Sequence, residues 1–123
     1  MSDSKDTEPF VARAIDMLKT PDKAVKHDSS KPRTDLLPFK ALGATAEVFA
    51  FGAVKYADDN WRNGMKLRRL LGAGLRHAFA WGSGEDLDPE SKLPHLAHAC
   101  CCFLMLLESV LEGYGEDDRW KRG

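Results

Sequence analysis

Leu67-Arg68-Arg69-Leu70-Leu71-Gly72-Ala73-Gly74-Leu75-Arg76-His77-Ala78-Phe79-Ala80-Trp81 is the stretch that decides the fold. Leu67, Leu70, Leu71, Gly74, Leu75 and Ala78 recur in steps of three and four, which is the signature of one apolar stripe on an α-helix. The arginines fall between them. Gly82-Ser83-Gly84 then supplies a stop signal. A buried helix over about 67–81 needs partners, and the flanking sequence offers them.

Upstream, a second helical run extends from about Phe39 to Tyr56. Leu42, Ala46, Phe49, Ala53 and Tyr56 share one face by the same spacing, and Glu47, Phe51, Val54 and Lys55 lie on another side. Asp58-Asp59-Asn60-Trp61-Arg62-Asn63-Gly64 ends it with turn residues. Downstream, a third run spans about Leu93 to Glu112, with Leu96, Cys100, Phe103, Leu107 and Leu111 expected inward and Gly113 and Gly115 closing it. A short helix is expected to start at Thr7-Glu8-Pro9, which pairs an N-cap residue with an early proline, and to run to Lys19. No segment alternates with the period of a half-buried strand. The expected fold is therefore all-α: a helical bundle forming one domain over 1–123, with polar tails at about 1–6 and 116–123.

Bulk composition narrows the function classes. The 123 residues suffice for one domain, and 43% of them are hydrophobic. A chain of this size buries only about two-thirds of its unfolded surface, so apolar helices fully used imply a partner subunit. Eighteen basic against nineteen acidic residues leave a net charge of −1, without the basic excess of a nucleic-acid-binding surface. No window approaches the roughly 18 apolar residues of a membrane span, and the polar start shows no signal segment. The expectation is a cytoplasmic protein with no nucleic-acid or membrane partner. Cys100, Cys101 and Cys102 are consecutive and sit in an apolar run, where they serve as small hydrophobes instead of disulfide partners.

The residues able to do chemistry gather in the second half. Glu85 and Asp88 are three apart, so on a helical turn they would share a face and hold one hard cation. Carboxylates select Mg²⁺ or Mn²⁺ over zinc. A solvated acidic turn is the plainer reading of the same run. His95 and His98 are likewise three apart at the start of the third helix, and His77 lies one turn before Trp81. His95, His98 and one acid would also suit zinc. On a continuous helix His77 and Glu85 would stand roughly 12 Å apart, too far to share one ion. Lys31, Arg33, Lys55, Arg62, Arg68 and Arg76 lie in loops or near helix ends, where basic groups can meet phosphate oxygens. Asn60 can pair with a purine edge and Trp61 can stack on a base, although a tryptophan in a bundle more often fills the core.

Three strings taken in order carry a resemblance: Ser30-Lys31-Pro32-Arg33-Thr34-Asp35-Leu36-Leu37-Pro38; Phe51-Gly52-Ala53-Val54-Lys55-Tyr56 with Asn60-Trp61-Arg62; and Arg76-His77-x-x-Ala80-Trp81-x-x-Gly84-Glu85-x-x-Asp88-x-Glu90 running into His95-Leu96-Ala97-His98-Ala99. Together they resemble the phage dATP/dGTP diphosphohydrolase family (MazZ), which are MazG-like all-α NTP pyrophosphohydrolases. The resemblance implies a dimer or tetramer that cleaves a purine deoxynucleoside triphosphate, dGTP or dATP, to monophosphate and pyrophosphate with Mg²⁺ or Mn²⁺. It implies a phage setting, in the host cytoplasm, that supports DNA containing 2-aminoadenine.

The related MazG enzymes hold their ions with a Glu-x-x-Glu pair and a Glu-x-x-Asp pair. Here Glu85-x-x-Asp88 matches the second pair in spacing, while only Glu47 stands in for the first. The expected metal ligands are Glu47, Glu85, Asp88, His95 and His98. Glu85, Asp88 and His77 are the expected catalytic residues, and Lys31, Asp35, Lys55, Asn60, Trp61 and Arg76 the expected substrate contacts. The rival readings are a zinc-dependent dNTP triphosphohydrolase and a non-catalytic helical adaptor.

Overall fold

The computed structural model describes residues 24–121, so the helix expected from Thr7 to Lys19 lies outside the described residues. The chain divides into two units at Thr34/Asp35. In the described part of the first, the Lys31 N–H donates to the Asp28 carbonyl at 3.0 Å and the Thr34 N–H to that of Pro32 at 3.0 Å. A 3-10 turn occupies Thr34–Leu36.

The second unit is built on three α-helices, α1 (Phe39–Lys55), α2 (Leu67–Gly82) and α3 (His95–Glu112), with a 3-10 turn at Asn60–Asn63. Among the described residues there is no strand, only two isolated bridges at Lys66/Glu116 and Leu87/Pro94. The all-α class is as expected, and the three helix spans agree with the sequence to within a residue or two. Pro38 and Pro94 stand at the N-cap positions of α1 and α3, where a missing N–H costs little.

α3 packs against both other helices. Val48 of α1 and Ala97 and Cys101 of α3 form the buried cluster, flanked by Ala44, Phe49, Leu93 and Met105. On the α2 side the contact is closer. A Cβ on the buried Gly74 would lie 2.5 Å from Cε1 of Phe103, so the ring sits directly on the α2 backbone.

The choice of buried face differs from the periodicity reading. α3 buries His95, Ala97, His98, Ala99, Cys101, Cys102 and Ser109, whereas Leu96, Cys100, Phe103, Leu107 and Leu111 are exposed. In α1 the buried positions are Thr45 and Val48, with Leu42, Ala46 and Tyr56 exposed. Periodicity identifies apolar stripes but not which of them the same chain covers. Small residues let α3 approach its neighbours, and Leu96, Leu107 and Leu111 are left outside while Phe103 is covered on one side by Gly74. α3 is also long and apolar enough to cross a membrane by length and composition, which corrects the expectation that no window reaches that size. In this structure it packs against both other helices and buries two histidines.

The segment after α3 is polar yet tied down. The Leu67 N–H donates to the Glu116 carbonyl at 2.9 Å, and the Arg68 N–H to Asp118 Oδ1 at 2.8 Å. These are orphan donors of the first turn of α2, whose own N-cap residue Lys66 makes no side-chain cap. Asp118 therefore caps a helix that begins fifty residues earlier. Gly115, at φ +78, makes the close approach possible, because a Cβ there would strike the Met65 carbonyl oxygen.

Candidate functional site

The end of α2 sets the geometry. The Glu85 N–H donates to the Ala80 carbonyl at 3.0 Å and the Gly84 N–H to that of Trp81 at 3.0 Å. This pair of bonds is a Schellman cap, and it needs a left-handed residue, which Gly84 supplies at φ +104. The helix therefore stops at Gly82 and the chain turns back, so the continuous-helix separation of His77 from Glu85 does not apply. Glu85 and Asp88 do not share a helical face either, since both lie in the connection between α2 and α3.

That connection is a tight return. The Asp88 N–H donates to the Leu93 carbonyl at 2.8 Å, the Lys92 N–H to that of Asp88 at 2.8 Å, and the His95 N–H to that of Asp86 at 2.9 Å. Asp88 Oδ2 accepts from the backbone N–H groups of Ser91 (2.8 Å) and Glu90 (3.1 Å), as short polar side chains do in turns. The largest influence on the Asp88 carboxyl is partial burial, which would raise its pKa. The Ser91 bonds and the other nearby interactions outweigh it and hold the carboxyl below the ordinary carboxylate value. Asp88 is thus an anion at neutral pH.

The return sets three histidines side by side. His77 Nδ1 lies 2.9 Å from His95 Nδ1, and His95 Nε2 lies 2.6 Å from Glu85 Oε1. The rings of His77 and His98 stack at 4.4 Å between centroids, tilted by 12°. His98 Nε2 is 2.6 Å from the Ser91 hydroxyl, which accepts from the Leu93 N–H, and Phe51 meets the His98 ring edge-on. A carboxylate can only accept, so Glu85 fixes the proton of His95 on Nε2 and leaves Nδ1 with a lone pair. Burial lowers the pKa of His77 and of His98, and for His77 the neighbouring His98 charge acts in the same direction. Both are neutral at pH 7 and able to act as ligands or proton acceptors.

One ligand atom from each of His77, Asp88 and His95 lies within 4.8 Å of the others. His77 and Asp88 are half-buried and His95 is buried. These residues fit a divalent ion of the first transition row, which accepts imidazole together with carboxylate.

The remaining expected residues distribute unevenly. Lys55, at the end of α1, pairs with Glu90 at 2.9 Å and so reaches the same loop. Arg76 is exposed on α2 beside His77. Glu47 is exposed on α1 and joins no ligand group among the described residues. Asp35 is exposed in the second unit, and Lys31 is exposed in the first. Asn60 and Trp61 belong to an aromatic corner instead of the histidine cluster. The Arg62 guanidinium lies 4.4 Å from the Trp61 ring centroid, Phe49 and Tyr114 flank the ring, and Arg62 reaches Glu108. Glu108 is ten residues beyond His98 on α3, about 15 Å along the axis. Ser91, which joins Asp88 to His98, was not singled out by the sequence. Its only signal is its place in the acidic turn.

The profile of one protein family, described as dATP/dGTP diphosphohydrolase, N-terminal, matches residues 21–119. A dATP/dGTP diphosphohydrolase of Salmonella phage PMBT28 is 33% identical over 95 residues, which cover 77% of this chain and 32% of that protein. The chain thus spans about a third of the length of the curated relative it matches. No solved structure matches it. All the residues of the histidine cluster fall within the matched region, and the chain belongs to the dATP/dGTP diphosphohydrolase N-terminal family.

Proposed function

We propose that the chain hydrolyses purine deoxynucleoside triphosphates, dGTP and dATP, to the monophosphate and pyrophosphate in a reaction that depends on a divalent metal ion. The observation that carries this reading is the convergence of His77, Asp88 and His95 within ligand reach, in a chain of a family whose phage relative bears that activity in its name. A bound divalent ion supplies neutralisation of phosphate charge and acidification of a water molecule.

The chain's own residues do the rest. Lys55 and Arg76 bind phosphate oxygens, and Lys55 exchanges its ion pair with Glu90 for the substrate. Asp35 contacts the nucleoside. His98 serves in this reading as the proton acceptor, a role that its stacking on His77 supports. The setting that follows is purine nucleotide metabolism in a phage-infected cell, with standard purine triphosphates depleted in favour of 2-aminoadenine DNA.

The active form in this proposal is a homodimer or homotetramer. Leu96, Phe103, Leu107 and Leu111 recur along α3 at intervals of seven and four while remaining 38–70% exposed, and a second copy of the chain would cover them. No nucleic-acid or membrane partner forms part of this reading. The test is to incubate the protein with each dNTP and a divalent ion and to separate the products by ion-exchange chromatography. Monophosphate and pyrophosphate from dGTP or dATP are expected. Nucleoside with tripolyphosphate, or no turnover with any ion, would overturn the proposal.

A further inference from the structure

The geometry points to a centre of two histidines and one carboxylate, made by His77, Asp88 and His95, that selects a first-row transition-metal ion over Mg²⁺, with Glu85 acting on the ion only through His95. The inference deepens the metal-dependent reading above and rests on it for biological sense, though not for its geometry.

Three features lead to it. The first is the donor set. Two imidazole nitrogens and one carboxylate oxygen lie within 4.8 Å of one another, and such donor sets favour first-row ions in an order that rises from Mn²⁺ through Co²⁺ to Cu²⁺ and falls again at Zn²⁺. Mg²⁺ gains little from imidazole, and it loses water reluctantly.

The second feature is the engagement of the neighbouring acid. Glu85 Oε1 is 2.6 Å from His95 Nε2, while the other nitrogen of that ring faces His77. A histidine held by a carboxylate on one nitrogen presents the lone pair of the other, here 2.9 Å from His77 Nδ1, in the arrangement by which outer carboxylates orient metal-ligating imidazoles. The spacing of Glu85 and Asp88 suggested two equivalent ligands, but the structure gives them different partners. The loop N–H groups bind Asp88 Oδ2 and hold that carboxylate in place, whereas Glu85 is spent on His95.

The third feature is access. His95 is buried, but His77 and Asp88 are only half-buried. Three protein ligands on a partly open face leave positions for water or a phosphate oxygen, as catalytic sites do.

The test uses the metal-free full chain with Co²⁺ as the probe. It measures stoichiometry by equilibrium dialysis and the visible absorption of bound Co²⁺, each with and without a hundredfold excess of Mg²⁺. The expected result is one Co²⁺ per chain, an absorption band that Mg²⁺ does not remove, and at least tenfold weaker binding in His77→Gln and Asp88→Asn. Cys100→Ser should bind as the parent does. Circular dichroism melting checks that each variant is folded, and Asp88→Glu, which keeps the carboxylate, should recover part of the affinity.

Displacement of Co²⁺ by Mg²⁺, or Co²⁺ binding unchanged in both His77→Gln and Asp88→Asn, would overturn the inference. The two readings fail separately. Turnover of dGTP with Mg²⁺ and no Co²⁺ binding would sink the transition-metal centre alone, whereas tight Co²⁺ binding without turnover of any dNTP would sink the pyrophosphohydrolase alone.

Discussion

Replacing Glu85 tests the internal logic of the histidine cluster most finely. The His95 side chain is 5% exposed and its Nε2 lies 2.6 Å from a Glu85 carboxylate that is itself 53% exposed. Losing an outer partner of a metal-bound imidazole costs about 10- to 100-fold in metal affinity. Because solvent already screens the Glu85 carboxylate, the lower end of that range applies to the change of charge alone. Glu85→Gln keeps an acceptor for the His95 N–H, and about a tenfold loss of Co²⁺ affinity is expected, equivalent to about 1.4 kcal/mol. Glu85→Ala leaves the N–H of a buried ring without its partner and frees the tautomer, so the loss should approach 100-fold. The assay is competition for Co²⁺ against a chromogenic chelator, read together with the Co²⁺ absorption band. Stoichiometry should stay at one ion per chain in both variants. Unchanged affinity in Glu85→Ala would refute the orienting role. Complete loss of the ion in Glu85→Gln would show that Glu85 is a ligand after all.

Three further predictions concern the scaffold. Asp118→Ala removes the cap of α2 and should cost about 0.5–2 kcal/mol, seen as a lower urea midpoint at unchanged slope; no change would mean that the segment after α3 does not hold that helix. His77 and His98 titrate below their ordinary 6.5 in the fold because burial disfavours the imidazolium, so the unfolded chain takes up more protons as the pH falls. The stability of the metal-free protein should therefore be complete above about pH 6.5 and decline below it, towards the folded-state values; equal urea midpoints at pH 7.5 and 5.5 would contradict this. Burial pushes the Cys101 thiol up to about 12 and raises that of Cys102, and both are enclosed while Cys100 is exposed. Iodoacetamide should leave Cys101 and Cys102 unlabelled until denaturant is added, as mass spectrometry of the intact and digested protein will show.

The helices were legible because their signals are local. The spacing of Leu67, Leu70 and Gly74, and the glycines at 82 and 84, are read within one or two turns of chain. The burial pattern was less legible, since α3 carries apolar residues on more than one side. Which side this chain covers depends on where α1 and α2 dock, and small residues such as Ala97 and Gly74 decide that.

For the site, the placing of His95 and His98 at the start of α3, beside the acidic turn, followed from local spacing. The direct meeting of His77 with His95 depends on the reversal at Gly84 and on the bridge between Leu87 and Pro94. The same reversal separates the roles of Glu85 and Asp88, which helical spacing had made equivalent. Asp118 gave no local signal at all, as a cap supplied from fifty residues away leaves no pattern at the helix it caps.

The most direct test of the central claim is to follow dGTP with the Mn²⁺-loaded protein, quench with chelator, and record the phosphorus NMR spectrum of the products. Growth of the pyrophosphate and dGMP resonances in equal amounts is expected, with loss of both in Asp88→Asn. Tripolyphosphate, orthophosphate with dGDP, or an unchanged dGTP spectrum would contradict the claim.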